Sequence, residues 1–204
     1  STGECDCNHP SGLSHLPLFK GCLFFTFCVI IAAMNKQDIY NYLQQKHLWH
    51  EIAEHKAVFS MDELDEAGIP FPENDAKNLF VRDDKKQNYY LIVVKGNKHV
   101  NLTEFSKNSC TRRLSFASAA DLKSLLNLTP GSVTPLGILN DTERKVTVFL
   151  DRDFLAEPGL IGVHPNDNTA TVLMKTADLI DIIKEHGNTL HIAPIVQKQT
   201  AAVL

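Results

Sequence analysis

Two apolar segments in the middle of the chain are separated by one short polar stretch. The segments "KNLFVRD" at 77–83 and "YYLIVVKG" at 89–96 are rich in β-branched and aromatic residues, and "DDKKQN" at 83–88 connects them. This content predicts two strands, and so short a connection between them favours an antiparallel hairpin. Any fold open to this chain therefore has to contain that strand pair.

Further strand and helix patterns alternate through the rest of the chain without a strict βαβ order. Residues 35–48 have apolar side chains at helical spacing, Ser118 is placed to cap "AADLKSLLNL", and Thr176 to cap "ADLIDIIKEH", which Gly187 ends. Residues 60–63 form a capping-box pattern that opens another short helix. Strand character is found in "HEIAEHKAVF", "RRLSFAS", "KVTVFLD", "LIGV" and "TVLMK". These patterns favour an α+β fold with a mixed, largely antiparallel sheet.

Two loops interrupt these patterns. The stretch "TPGSVTPLGILND" at 129–141 is punctuated by Pro130, Gly131, Pro135 and Gly137, which predicts loop and turn before the next strand. The stretch "GVHPNDNTATV" at 162–172 places turn-forming residues between two probable strands. It predicts a hairpin loop that also presents hydrogen-bonding groups.

The first 33 residues differ from the rest of the chain. An apolar run at 21–33 follows Lys20 and is shorter than the roughly 20 residues of a membrane span. A secretory or organellar leader, a membrane anchor and translated sequence upstream of a true start at Met34 are all open, and we favour the last. Residues 34–204 are then the folded domain. With Cys110 as its one thiol, this domain is predicted to be cytoplasmic.

The charge of the chain limits its partners. A net charge of −4 over 204 residues argues against a broad basic surface for non-specific nucleic-acid binding. Cations are nevertheless concentrated in the middle third, where most of them are expected to be solvated. They are Lys85, Lys86, Lys95, Lys98, Lys107, Arg112 and Arg113.

Common catalytic signatures are missing: the sequence has no G-x-S-x-G, no P-loop and no H-E-x-x-H. The histidines at 47, 50 and 55 are expected at the surface. Three segments remain as candidates for a site: "AKNLF" with Lys77, "PGSVTPLG" and "GVHPNDNTA". Each taken singly is explained without function, as a surface lysine, a turn and a hairpin loop.

Lys77 before "NLFVRD", Gly131 and Pro135 in "GSVTPLG", and "GVHPNDNTATV", in combination and in this order, resemble the YbaK/ProX family of aminoacyl-tRNA editing domains. The resemblance also includes "HKAVFS", "RRLSFAS" and "LND", and it covers roughly residues 34–194. The sequence is most similar to the free-standing prolyl-tRNA editing proteins of that family. The resemblance implies an α+β fold in which a mixed, largely antiparallel sheet forms a barrel-like core flanked by helices.

The same resemblance implies an enzyme that hydrolyses Ala-tRNA(Pro). A synthetase pocket made for proline rejects alanine only weakly, because a missing methylene changes binding by about 1–3 kcal/mol. A second, smaller pocket that excludes proline completes the selection. The implied mechanism is substrate-assisted, with a ribose hydroxyl promoting attack on the ester, and requires no metal and no cofactor. The implied partners are aminoacylated tRNA(Pro) and prolyl-tRNA synthetase, with no DNA and no membrane for the folded domain.

The family pattern assigns roles residue by residue. Lys77 would hold the tRNA 3′ end or the reacting ester, backbone N–H groups at Gly131 would bind the developing oxyanion, and His164 would border the aminoacyl pocket. The substrate-binding candidates are Pro135, Ser132, Gly137, Asn166 and Asn168. The basic residues of the middle third are candidates for contact with the acceptor stem.

Three alternatives stay open at the level of the sequence. The same fold could act on Cys-tRNA(Pro) or Ser-tRNA, or it could be a non-catalytic module that binds the tRNA 3′ end. A metal hydrolase using His164 with His186 or His191 is the least favoured, because no carboxylate–histidine spacing supports it.

Overall fold

The computed structural model describes residues 33–57, 72–96 and 98–195. Most of the predicted leader, and the helix predicted to open at residues 60–63, lie outside these ranges. The four helices described are α1 (Lys36–Gln45), α2 (Leu102–Asn108), α3 (Ala119–Leu126) and α4 (Thr176–His186). The strands are β1 (His50–Glu54), β2 (Ala76–Asp83), β3 (Tyr89–Lys95), β4 (Leu114–Phe116), β5 (Val146–Asp151), β6 (Leu160–Val163), β7 (Ala170–Lys175) and β8 (Leu190–Ala193).

The strands form two sheets. The larger has the order β4-β2-β3-β5-β8, in which β2 is antiparallel to β3 and β4, whereas β5 is parallel to β3 and β8. The smaller sheet, β1-β7-β6, is antiparallel throughout. An isolated parallel bridge between Asp75 and Gly162 links the two. The predicted α+β class with a mixed sheet is confirmed, as is the hairpin of β2 and β3.

Local sequence explains where the helices begin and end. Asn35 caps α1 in a capping box with Asp38, and Ser118 caps α3 in the same way with Asp121. Gly187 ends α4 in the left-handed region at φ 97°, which favours glycine. The predicted cap at Thr176 is wrong. The helix begins one residue earlier, and the buried Thr176 hydroxyl instead donates to the carbonyl of Phe154 at 2.9 Å.

Two further elements differ from the sequence prediction. The stretch predicted as loop and turn contains a 3₁₀ helix at Pro135–Asn140, which buries Leu136 and Ile138. Helix α2 is too short to show a clear apolar period, and it buries Phe105. In the described ranges, no helix is both long enough and apolar enough to cross a membrane.

Two apolar clusters lie on opposite faces of the larger sheet. The main core contains Leu91, Val93 and Val148 of this sheet together with Ile161 and Val172 of the smaller one. The second cluster contains the alternate residues of the larger sheet and helix α2: Val81, Ile92, Val94, Phe105 and Phe149. Because side chains alternate along a strand, the face on which a residue projects follows from its position relative to these clusters.

Candidate active site

The candidate site lies where β2 meets the smaller sheet. One edge of β2 pairs with β4 along Val81–Asp83 and is bridged to β6 through Asp75 and Gly162. Residues 77–79 lie between these two contacts, so among the described strands this edge is unpaired at Lys77. Among the described strands, this edge of β2 therefore has no partner at the lysine that the sequence predicts to be functional.

Lys77 and His164 leave this junction on the same face. Ala76 and Val163 pack with the main core, so the residues after them, Lys77 and His164, project away from that core. Each stands two positions beyond its member of the Asp75–Gly162 bridge, and the two strands run parallel there. In the described part of the chain, Lys77 is half-buried and forms no ion pair.

A small cavity borders His164 at this junction. It is lined by Asp75, Ala76, Gly162, Val163, His164 and Thr171. Gly162 is required for this close approach, because a Cβ at its position would lie 2.6 Å from the buried Asp75 carboxylate and 3.3 Å from Thr171 Cγ2. We call this space the junction cavity. It is small, at about 10 Å³, and polar groups border it.

The imidazole of His164 has one defined hydrogen bond. Its Nδ1 lies 3.1 Å from the carbonyl oxygen of Ala170, and since a carbonyl only accepts, Nδ1 carries the proton. Burial lowers the pKa of His164, more than the Ala170 hydrogen bond raises it, and the neighbouring His55 lowers it further. His164 is therefore neutral at pH 7. Its Nε2 then presents a lone pair that can accept a hydrogen bond.

His55 stands beside His164, with 6.4 Å between the ring centroids. Its Nδ1 donates to the carbonyl of Lys56 at 2.8 Å, so its Nε2 accepts from the Thr171 hydroxyl at 3.1 Å. Its backbone N–H donates to the carbonyl of Thr169 at 2.9 Å. His55 thus holds the far end of the hairpin loop that begins at His164, a position that the expected surface role does not describe.

The predicted loop at 129–141 is hydrogen-bonded to the same hairpin. Thr134 is fully buried, and its Oγ1 donates to the carbonyl oxygen of His164 at 2.6 Å. The same hydroxyl caps the 3₁₀ helix in which Pro135 is the first residue. Gly131 is exposed at φ 92°, a conformation that glycine adopts without strain. The structure therefore joins this loop to the start of the hairpin loop at His164.

Ser132 and Gly137 have packing roles within the loop. The Ser132 hydroxyl is buried, donates to the carbonyl of Thr129 at 3.0 Å and accepts from its N–H at 3.2 Å. A Cβ at Gly137 would lie 2.6 Å from Leu128 Cδ1, so this position is filled by Leu128. Contact of either residue with a substrate stays a prediction.

Asn166 faces helix α1 instead of the junction cavity. It adopts φ 60°, and its Nδ2 donates to the carbonyl of Met34 at 2.8 Å. It lines a second cavity of about 410 Å³ beside the start of α1, together with Lys36 and Glu54, which form an ion pair. Asn168 lies two residues further along the same turn. Roles for both in substrate binding stay predictions.

The histidines of the metal alternative lie apart in the chain's architecture. His186 ends α4, where its Nδ1 is 2.6 Å from Asn188 Oδ1. His191 of β8 stacks on Phe149 at 4.9 Å between ring centroids. Over the ranges that the structure covers, no group of three or more His, Cys, Asp or Glu residues is arranged to hold a metal ion.

Comparison with known proteins identifies the fold that carries this arrangement. The aminoacyl-tRNA editing domain family matches residues 55–182, a range that begins at His55 and includes the whole candidate site. The chain belongs to this family. The resemblance to YbaK/ProX editing domains is therefore confirmed.

Individual members of the aminoacyl-tRNA editing domain family support this assignment. Prolyl-tRNA editing protein ProX of Acetoanaerobium sticklandii is 35% identical over 154 residues, which cover 76% of this chain and 93% of that protein. Prolyl-tRNA synthetase associated domain-containing protein 1 of Danio rerio is 31% identical over 156 residues, 76% of this chain and 84% of that protein. A solved structure described as a proposed trans-editing enzyme for prolyl tRNA synthetase has a TM-score of 0.61 at 18% identity. It covers 80% of this chain and 97% of that one, and it supports the fold.

Sequence reasoning missed His55, Thr134 and Thr171 in this editing domain. His55 and Thr134 lie inside segments that carry the resemblance, so attention to every polar residue of those segments would have found them. Thr171 lies near the end of "GVHPNDNTATV", so the same attention would have found it. It is placed by the pairing of Ala53 with Thr171 between β1 and β7.

Proposed function

We propose that this editing domain is a trans-editing hydrolase that deacylates mischarged tRNA(Pro), with Ala-tRNA(Pro) as its substrate. The observation that carries the proposal is the projection of Lys77 and His164 from one face beyond the Asp75–Gly162 bridge. The relatives named for prolyl-tRNA editing support the choice of tRNA. The domain spans residues 34–204, and prolyl-tRNA synthetase is a second partner.

The proposed reaction is hydrolysis of one ester bond. A ribose hydroxyl of the terminal adenosine promotes attack of water on the ester carbonyl carbon. The carbonyl oxygen gains negative charge, the bond from carbon to the ribose oxygen breaks, and that oxygen takes up a proton. Free alanine and the tRNA 3′ end are released. An activated ester needs no enzyme nucleophile, so the residues have only to position and stabilise.

The substrate carries a positive ammonium group, and a negative charge develops on its carbonyl oxygen during the reaction. Each of these charges has a candidate partner in the site. The ammonium of Lys77 forms no ion pair among the described residues and can pair with a phosphate or with the developing oxyanion. Backbone N–H groups of the loop at Gly131 are the second oxyanion donors. The neutral Nε2 of His164 can accept a hydrogen bond from the substrate ammonium or from a ribose hydroxyl.

The junction cavity is about 10 Å³, the space of about one water molecule, so alanine and proline both need room beyond it and proline needs more. Its walls at Thr171 and Asp75 are buried, and Gly162 is held by close contacts on both sides. A proline ring would have to displace these walls, and forcing extra methylenes into a packed site costs about 1–3 kcal/mol. Exclusion of the larger amino acid is the second sieve that editing requires.

The experiment is a deacylation time course on Ala-tRNA(Pro), Cys-tRNA(Pro) and Pro-tRNA(Pro), with the parent protein and Lys77→Ala. Lys123→Ala, which removes an exposed lysine from α3, is the matched control. We expect rapid loss of alanine, sparing of proline, and a drop of about 100-fold in kcat for Lys77→Ala alone. Faster loss of cysteine would change the substrate to Cys-tRNA(Pro). Binding of tRNA without hydrolysis of any ester would make the protein a binding module.

A second experiment tests the mechanism. Because a ribose hydroxyl assists the reaction, no acyl-enzyme should accumulate when the reaction is quenched and the protein is analysed by mass spectrometry. Cys110 is exposed and Ser132 lies in the loop, so these two side chains are the places to search for a trapped alanyl group. An alanyl adduct on either would replace the substrate-assisted mechanism with a covalent one.

A further inference from the structure

Phe116 is the most exposed of the large apolar side chains described, at 63%. It is the last residue of β4 and pairs with Val81 of β2. Val81 and Lys77 are separated by an even number of positions on β2, so Phe116, Val81 and Lys77 project from the same face. Strand geometry places the level of Phe116 about 13 Å from that of Lys77.

Exposed cations lie in the β2–β3 turn, which is beyond Phe116 along β2, and in or after α2. Lys85 and Lys86 are in the β2–β3 turn, and Lys107, Arg112 and Arg113 are in or after α2. The two segments are adjacent, because Arg112 forms a two-point ion pair with Asp84 at 2.6 and 3.0 Å. We call the four cations other than Arg112 the basic rim. The rim begins about 20 Å along β2 from Lys77.

Few carboxylates offset the basic rim. Asp83 is buried and accepts hydrogen bonds from the Gln87 N–H and the Asn88 side chain, and Asp84 is engaged by Arg112. Lys98 does not belong to the rim, because it pairs with Asp151 and Asp153. Within the described ranges, Lys85, Lys86, Lys107 and Arg113 form no ion pair. A net-negative protein thus presents a local positive surface on the side of its exposed aromatic ring.

We infer that Phe116 and the basic rim form the surface that binds the acceptor end of the tRNA. Phe116 stacks on an unpaired base of the 3′ end, and the rim binds phosphates of the adjoining duplex. This inference rests on the proposed function, and it names the residues that deliver the ester to Lys77. An aromatic platform beside a cationic track is the common arrangement for binding single-stranded nucleic acid. The order along β2 is the order of the substrate: ester, unpaired bases, duplex.

A protein partner fits this surface less well. The core of a protein–protein interface is depleted of lysine, whereas the basic rim contains three lysines. Phosphates can pair with every cation of the basic rim, and the ring of Phe116 can stack on any base.

The test measures binding of an uncharged acceptor-stem minihelix with its unpaired 3′ end, by fluorescence anisotropy. Phe116→Ala should raise Kd about 5-fold to 100-fold, the loss expected for one base stack, and Phe116→Trp should bind as the parent does. Trp49→Ala, which removes an aromatic side chain of 43% exposure outside this surface, should not change Kd. A Lys85→Gln, Lys86→Gln, Arg113→Gln variant should flatten the salt dependence by about 0.9 for each phosphate that its side chains no longer neutralise.

Two results would overturn the inference. The first is that Phe116→Ala binds the minihelix as tightly as the parent does. The second is that Phe116→Ala weakens binding of a blunt duplex without unpaired bases by the same factor as it weakens binding of the minihelix. Loss of prolyl-tRNA synthetase binding with unchanged RNA binding would assign the surface to a protein. Because the minihelix is uncharged, the outcome does not depend on deacylation. In the deacylation assay, Phe116→Ala should raise KM and leave kcat unchanged.

Discussion

The hydroxyl of Thr134 donates a 2.6 Å hydrogen bond to the carbonyl oxygen of His164. These residues are 30 positions apart and belong to the two loops that the sequence singles out. The bond fixes the start of the hairpin loop against the 3₁₀ helix that Thr134 also caps. A substitution in one loop is therefore expected to alter the position of the other.

Thr134→Val tests this connection. Valine keeps the shape of the side chain but leaves the His164 carbonyl without this donor in a buried place, which costs about 1–3 kcal/mol of unfolding free energy. We also expect kcat for Ala-tRNA(Pro) to fall, because His164 is no longer held from this side. Urea denaturation and a deacylation assay measure the two effects. Thr142→Val, at an exposed threonine, is the control, and a Thr134→Val protein with parental kcat would contradict the prediction.

The hydrogen bond between Thr171 and His55 gives a second prediction. Thr171→Val removes the donor to His55 Nε2, and His55→Ala removes the acceptor, so both release the same end of the hairpin loop. We expect each change to lower kcat, and the double variant to be no worse than the more severe single variant. Deacylation rates for the four proteins of this cycle measure the coupling. Additive losses would show that His55 acts independently of Thr171.

Local sequence patterns predict most of the fold because each depends on neighbours in the chain. The β2–β3 hairpin is given by two apolar runs and a polar turn, and the cap at Ser118 by its position directly before an apolar helical pattern. The predicted cap at Thr176 is wrong because of a tertiary contact. Its hydroxyl is buried against the carbonyl of Phe154, 22 residues away, which no local pattern reveals.

The candidate site was predictable only in part. The order of the segments around Lys77, Gly131 and His164 indicates a family and therefore a common site. That Lys77 and His164 project together depends on the register of Asp75 with Gly162, which is set by packing between the two sheets. The place of His55 depends in the same way on pairing of β1 with β7. Such long-range registers are not written in the spacing of a single sequence.

Gly162→Ala tests whether the junction cavity has to stay small and undisturbed. The added Cβ would meet the Asp75 carboxylate at 2.6 Å and Thr171 Cγ2 at 3.3 Å, so at least one wall of the cavity has to move. We expect a loss of about 1–3 kcal/mol in stability and a marked fall in deacylation. Gly137→Ala is the comparison, because its contact is the end of the Leu128 side chain in the core. Equal activity losses in the two variants would argue against a specific role for Gly162.

The pKa of His164 gives a prediction for pH dependence. Burial lowers this pKa below its usual value near 6.5, so between the folded and unfolded pKa values the unfolded chain binds more protons. Stability therefore rises with pH across that window. The contribution of His164 is complete above about pH 6.5 and is lost as the pH falls from there through the folded pKa.

His164→Gln isolates this contribution, since every other ionisable group is present in both proteins. The difference in unfolding free energy between parent and variant should be constant above pH 6.5. At lower pH the unfolding free energy of the parent should fall relative to that of the variant. Urea denaturation from pH 5 to 8 measures both. If the neutral imidazole is the form that accepts a hydrogen bond from the substrate, kcat/KM of the parent should begin to fall only below pH 6.5. An inflection above pH 6.5 would mean that folding favours the charged imidazole, and Nε2 could then not be the acceptor at neutral pH.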